Sequence, residues 1–140
     1  MSKVTAKVTI ESNVAEVLAA SEEAVNRGLM AIGMEAVTLT HRDKDSGGTP
    51  VDTGRLRNSI SWAVAGESGG GGDGEGGDDA GAAGTPPKNT VCIGTNVEYA
   101  KWVEEGGYNR HAYHMLRNAL VDGSDRFEAI MKANLEAENA

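Results

Sequence analysis

One cysteine, six aromatic residues, a shortage of bases and no long apolar run set the first limits on this 140-residue chain. With Cys92 as the single cysteine, an internal disulfide and a multi-cysteine zinc site are both excluded. A lone thiol also fits a reducing compartment. The scarcity of aromatics leaves the core to Val, Leu, Ile, Met and Ala. Thirteen Lys and Arg face 21 Asp and Glu, for a formal charge of −8. A nucleic-acid binder needs cations that displace counterions from phosphates, so this balance argues against one. Nothing approaches the apolar length of a membrane span. Met1 to Ile10 carries two lysines and no apolar segment, so no secretory leader is expected there.

What is present suits one domain over residues 1–140. A chain of this length buries roughly two-thirds of its unfolded surface, enough for a small core. VTAKVTI, residues 4–10, alternates apolar and polar side chains as a half-buried strand does. Ser12 or Asn13 can cap a following helix, with Glu16 at the capping-box position relative to Asn13. Apolar residues from Val14 to Leu39 then recur at spacings of three and four, or sums of these, which predicts a long amphipathic helix over about 14–40. Gly28 and Gly33 fall inside it, each at a cost of up to about 1 kcal/mol against Ala, and so call for a close-packed neighbour. HRDKDSGGTP is a loop. Asp52 or Thr53 then caps a short turn, Gly54 to Asn58, and a second strand alternates through Ile60, Trp62 and Val64.

Residues 66–84 hold ten glycines, five acids and no base. They have too little apolar area to offset the entropy of ordering, so 66–88 is expected to be a flexible acidic insertion. TVCIGT, 90–95, is a third strand. Asn96 caps a short helix with Tyr99 and Val103 on one face and Trp102 beside them, and Gly106 or Gly107 stops it. Met115 to Leu135 reads as a final helix that Gly123 and Ser124 can divide. The expected class is α+β: a small antiparallel sheet packed by a long N-terminal helix and a C-terminal helix, with a long flexible Gly/Asp loop.

Chemical motifs are few. The glycine run lacks the Lys and the Ser or Thr of a phosphate loop. GGGGDGEGG touches on calcium-binding glycine–aspartate repeats, but those work as stacked arrays and one copy stands here. His111 and His114 lie three apart without a carboxylate-rich pattern, so no metal site is expected. Cys92 lies mid-strand, where a buried inert thiol is expected. A hydrolase built from Asp52, Ser59 and Glu104 finds no supporting spacing, so no catalytic residue, cofactor or enzymatic activity is expected. Arg55 and Arg57 share a face if the following strand begins early; they then either pair with local acids or reach an acidic face of another subunit.

Three segments carry a family resemblance. The first, PVDTGRLRNSI, places Asp52, Thr53, Gly54, Leu56 and Ser59 in a Pro-Val-Asp-Thr-Gly-x-Leu-x-x-Ser turn, with Arg55 and Arg57 between them. The second, VEYAKWVEEGG, supplies Tyr99, Ala100, Trp102, Val103, Glu104 and Gly106. The third, HMLRNAL, opens the last helix. Together, and in this order over about residues 10–135, they resemble the neck or tail-completion (head–tail junction, minor tail) protein family of long-tailed, lambda-type bacteriophages.

The resemblance implies a non-enzymatic virion protein at the head–tail junction or the head-proximal end of the tail, assembled in the bacterial host cytoplasm. It implies a ring of six or twelve copies, needed for head–tail joining or tail completion, in which each subunit offers one patch to a different patch of its neighbour. Adjoining neck, head-closure or tail-terminator rings would be its partners. Genomic DNA would pass through the lumen without sequence-specific binding, and no membrane is involved. Outside residues 66–87 the net charge is about −3, the five acids of that stretch making up the rest of −8. An acidic loop at such a lumen or ring edge would repel phosphate and let DNA slide. Two alternatives stand beside this: a tail terminator capping the tail tube, and, in another class, an acidic interaction module that binds a basic partner.

Overall fold

The computed structural model describes residues 4–9, 22–50, 55–65, 67–69, 84–95, 97, 99–107 and 111–138. In chain order these form β1 (Val4–Thr9), α1 (Glu22–Thr40), a single 3-10 turn (Lys44–Ser46), α2 (Arg55–Ser59), β2 (Ser61–Val64), β3 (Glu67–Gly69), β4 (Thr90–Thr95), α3 (Ala100–Glu105), α4 (Met115–Asp122) and α5 (Ser124–Glu138). The strands make one antiparallel sheet in the order β1-β4-β2-β3. The α+β class with long helices toward both ends is therefore the observed one.

Helix α1 organises the core. Its buried positions are Ala24 and Val25, Gly28 and Leu29, Ile32 and Gly33, Ala36 and Val37, then Thr40. Such pairs repeating every four residues make a stripe two rows wide, enough to serve two neighbours at once. The two glycines show which neighbours. A Cβ built on Gly33 would stand 2.8 Å from Trp62 Cβ and 3.1 Å from Val91 Cγ2, so the helix lies directly on β2 and β4 there. A Cβ on Gly28 would stand 2.5 Å from Met131 Sδ, so α5 closes on the helix at that turn. Leu29 and Ile32 fill the space with Ile60, Val64, Val91 and Ile93 from the sheet side and Met115, Leu116 and Phe127 from the C-terminal helices. Burying each of these large side chains contributes about 1.5–3 kcal/mol.

Several boundaries differ from expectation. The first eight residues of the predicted long helix, 14–21, lie outside the described residues, as do the caps assigned to Ser12 or Asn13 and Asp52 or Thr53. Glu67–Gly69, expected within the flexible insertion, instead pair with β2 as a hairpin, Val64 opposite Glu67. The two-residue connection and the strand's pairing partner override a glycine-rich composition that reads as loop. The rest of that insertion, 70–83, lies outside the described residues. Helix α3 starts at Ala100, with Tyr99 at its cap rather than Asn96. Gly106 ends α3 as expected: its φ of 74° is a region glycine enters freely, and its N–H donates to the Trp102 carbonyl at 2.8 Å. Cys92 is buried in mid-strand and takes part in no disulfide. No helix among the described residues is long and apolar enough to cross a membrane.

Candidate functional site

Two of the motif residues, Ser59 and Glu104, are joints of the framework. Leu56, on α2, is 4% exposed and belongs to the core. Ser59 closes the same helix. Its hydroxyl donates to the Leu56 carbonyl at 2.7 Å and lies 2.5 Å from the Thr95 hydroxyl, so α2 is tied to the end of β4. Thr95 Oγ1 in turn accepts the N–H of Val97 at 3.1 Å, which directs the chain into α3. A serine 36 positions before its partner gives no sequence signal for this contact; the turn motif and the strand at 90–95 were legible, their union was not.

Glu104, on α3, is the second joint. It is 8% exposed. Its Oε1 accepts the N–H of Leu116 at 2.8 Å and its Oε2 accepts the N–H of Arg117 at 3.2 Å. Those amides belong to the first turn of α4, whose donors have no partner within the helix. A carboxylate also suits the positive end of the helix dipole. The carbonyl of Glu104 accepts the N–H of His114 at 3.1 Å, and that of Val103 accepts the N–H of Tyr113 at 2.9 Å. His114, the residue before α4, is held at φ 51° by this pairing. One glutamate thus caps a helix twelve residues away, fixing the third signature segment to the second.

Other residues singled out in the sequence fall as follows. Ala100 is fully buried, Tyr99 and Val103 are packed partly buried against the core, and Trp102 is 40% exposed. Lys101 Nζ lies 5.9 Å from the centre of the Trp102 ring. Asp52, Thr53 and Gly54 lie outside the described residues, as does the side chain of Arg55. The backbone at 55–59 is helical, and the strand begins only at Ser61. The early strand start on which a shared facing of Arg55 and Arg57 depended is therefore not what the backbone shows. His111 and Tyr113 make an edge-to-face pair at 4.7 Å. Among the described residues no group of His, Cys, Asp and Glu could hold a metal ion.

A feature absent from the sequence reading lies on the opposite side of α2. The loop after α1 folds back on itself: Thr49 N–H donates to the Thr40 carbonyl at 2.8 Å, and Gly48 N–H to the Asp43 carbonyl at 3.0 Å. Gly48 sits so close to the Arg42 carbonyl that any Cβ there would overlap it. The loop is pinned outward to α4 by Arg42, which meets Asp122 at 3.0 Å, and to α2 by His41, whose Nε2 lies 3.0 Å from the Arg57 carbonyl. Between loop and helix opens a cleft of about 310 Å³, lined by His41, Arg42, Asp43, Lys44, Thr49, Pro50 and Arg57. Two buried polar atoms on its lining residues have no hydrogen-bond partner among the described residues: Thr49 Oγ1 and Arg57 Nε. A buried donor left unpaired costs about 1–3 kcal/mol, more when charged. Such orphans collect where a fold serves something beyond its own stability.

Compared with protein-family models, with curated proteins and with solved structures, the chain matches none.

Proposed function

We propose that this chain is a structural virion protein of a long-tailed phage, forming a ring at the head–tail junction or the head-proximal end of the tail, through which DNA passes. The observation that carries this reading is the union of the three signature segments. Ser59 joins the first segment to β4 and so to the entry of α3, and Glu104 joins the second to the third. Residues that recur together in a ring subunit are expected to hold its edges in fixed relation, because each copy must present two different patches at one angle. The contacts seen here are of that kind. Trp102, on α3, keeps 40% of its surface exposed beside this frame, and a large aromatic on a rigid element is the common anchor of a protein interface.

The same contacts weigh against the hydrolase alternative. Both carboxylate oxygens of Glu104 accept backbone amides, and the Ser59 hydroxyl is engaged with Leu56 and Thr95. Neither is disposed to take or give a proton to a substrate. The reading is tested by electron microscopy of particles assembled without this protein. Separate heads and tails, or tails of abnormal length, are the expected result; intact and infectious virions overturn it.

A further inference from the structure

We propose that the cleft between the α1–α2 loop and α2 is a carboxylate-binding site. On the ring reading, on which only the identity of the occupant rests, that carboxylate is an Asp or Glu side chain of a neighbouring copy. Arg42, Lys44 and Arg57 bring three cations to the cleft lining against one acid, Asp43. Arg42 is already engaged by Asp122, which leaves Lys44 and Arg57 to set the local sign. This concentration of positive charge stands in a chain whose net charge is −8, so a second copy has more acids than bases to offer it. The same net charge repels a nucleic-acid backbone.

The donor set fits a planar oxyanion. A guanidinium presents its N–H groups as a fork that matches carboxylate geometry, and the Arg57 Nε–H is a donor left unused among the described residues. Thr49, 1% exposed, adds a second unused donor. The walls are held before any ligand arrives: Gly48 against the Arg42 carbonyl, Arg42 against Asp122, and His41 against the Arg57 carbonyl. At about 310 Å³ the cleft admits one or two side chains, not a duplex.

The discriminating variant is Thr49→Val. If the hydroxyl is only a packing defect, its replacement by a methyl leaves binding untouched and leaves stability equal or higher. A binding site predicts equal or higher stability together with a loss of ligand. The measurement is a titration of the full chain with succinate, inorganic phosphate and neutral glycerol, followed by the Arg57 Nε–H resonance in arginine-labelled protein. Succinate is expected to shift it saturably and glycerol not at all. Thr49→Val should weaken succinate at least fivefold by this resonance, and Arg57→Gln, which removes the reporter, at least fivefold by calorimetric titration. A resonance that ignores succinate, or follows phosphate alone, or moves alike in Thr49→Val, overturns the site.

Sedimentation of the same proteins tests the occupant. A wild type that self-associates while Thr49→Val does so at tenfold higher concentration supports a neighbour's carboxylate. Equal association of the two overturns that occupant and leaves the ring standing. Saturable succinate binding by a chain that forms no ring in solution or on particles overturns the ring reading and keeps the site.

Discussion

Two glycines in one helix answer to different neighbours, and their substitutions should part company. At Gly33 the obstacle is Trp62 Cβ at 2.8 Å and Val91 Cγ2 at 3.1 Å, atoms held by the two central strands. They cannot withdraw without moving the sheet, and overpacking of that sort costs about 1–3 kcal/mol, more than the ~1 kcal/mol of helix propensity that Ala restores. Gly33→Ala should therefore lower stability by about 1–2 kcal/mol in urea unfolding. At Gly28 the obstacle is the sulfur and terminal methyl of Met131, the far end of a flexible side chain that can turn aside. Gly28→Ala should be neutral within about 0.5 kcal/mol or stabilising. Equal losses at the two sites would show that α5 is as unyielding as the sheet. The periodicity placed both glycines on the packed stripe of α1, but it did not say which neighbour met which. That assignment depends on the crossing of elements about 30 to 100 residues apart in the chain, which local spacing does not encode. The Ser59–Thr95 contact escaped for the same reason: each hydroxyl reads alone as a turn or strand residue.

Elements with strong periodicity were legible, and those held by a partner were not. Strand β4 falls at the expected 90–95, and α1 ends at Thr40 as its pattern requires. The division between α4 and α5 falls at Gly123, where a side chain would strike the Phe127 ring and Leu39. Strand β3 was hidden because Glu67-Ser68-Gly69 has no β propensity of its own and exists through its ladder to β2. Helix α4 was legible, but not the means by which it starts. Its own preceding residue, His114, makes no side-chain cap, and Glu104 supplies the cap from α3 instead. Hydrogen bonds to a charged group are worth about 1.5–3 kcal/mol, and loss of a cap about 0.5–2 kcal/mol. Glu104→Ala should thus cost about 2–3 kcal/mol and lower Tm by on the order of 10 °C. Glu104→Gln keeps one carbonyl acceptor and should cost about half as much. If Ala and Gln were alike and harmless by calorimetry, the joint between the second and third signature segments would carry no energy.

For the whole molecule the decisive contrast is between the folded framework and a short acidic stretch that alone carries half of the excess charge. Residues 70–83 contain four acids, Asp73, Glu75, Asp78 and Asp79, and no apolar side chain larger than Ala. Such a composition offers the core little, so its effect on folding should be that of the loop it closes. Replacing these fourteen residues by seven of Gly and Ser, with β3 retained, shortens the connection from β3 to β4 from twenty residues to thirteen and should stabilise the domain by about 0.4 kcal/mol. The replacement also takes the formal charge from −8 to −4. Like charges on successive copies of a ring repel over a Debye length of about 10 Å at 0.1 M salt. On the ring reading, the shortened chain should therefore associate at lower concentration than the parent, with the gap closing as salt rises and screens the repulsion. Urea unfolding and sedimentation at two salt concentrations check both halves. A broad, non-cooperative transition would mean that the acidic stretch packs on the domain after all. A gap in association that ignores salt would mean that its charge is not what keeps the copies apart.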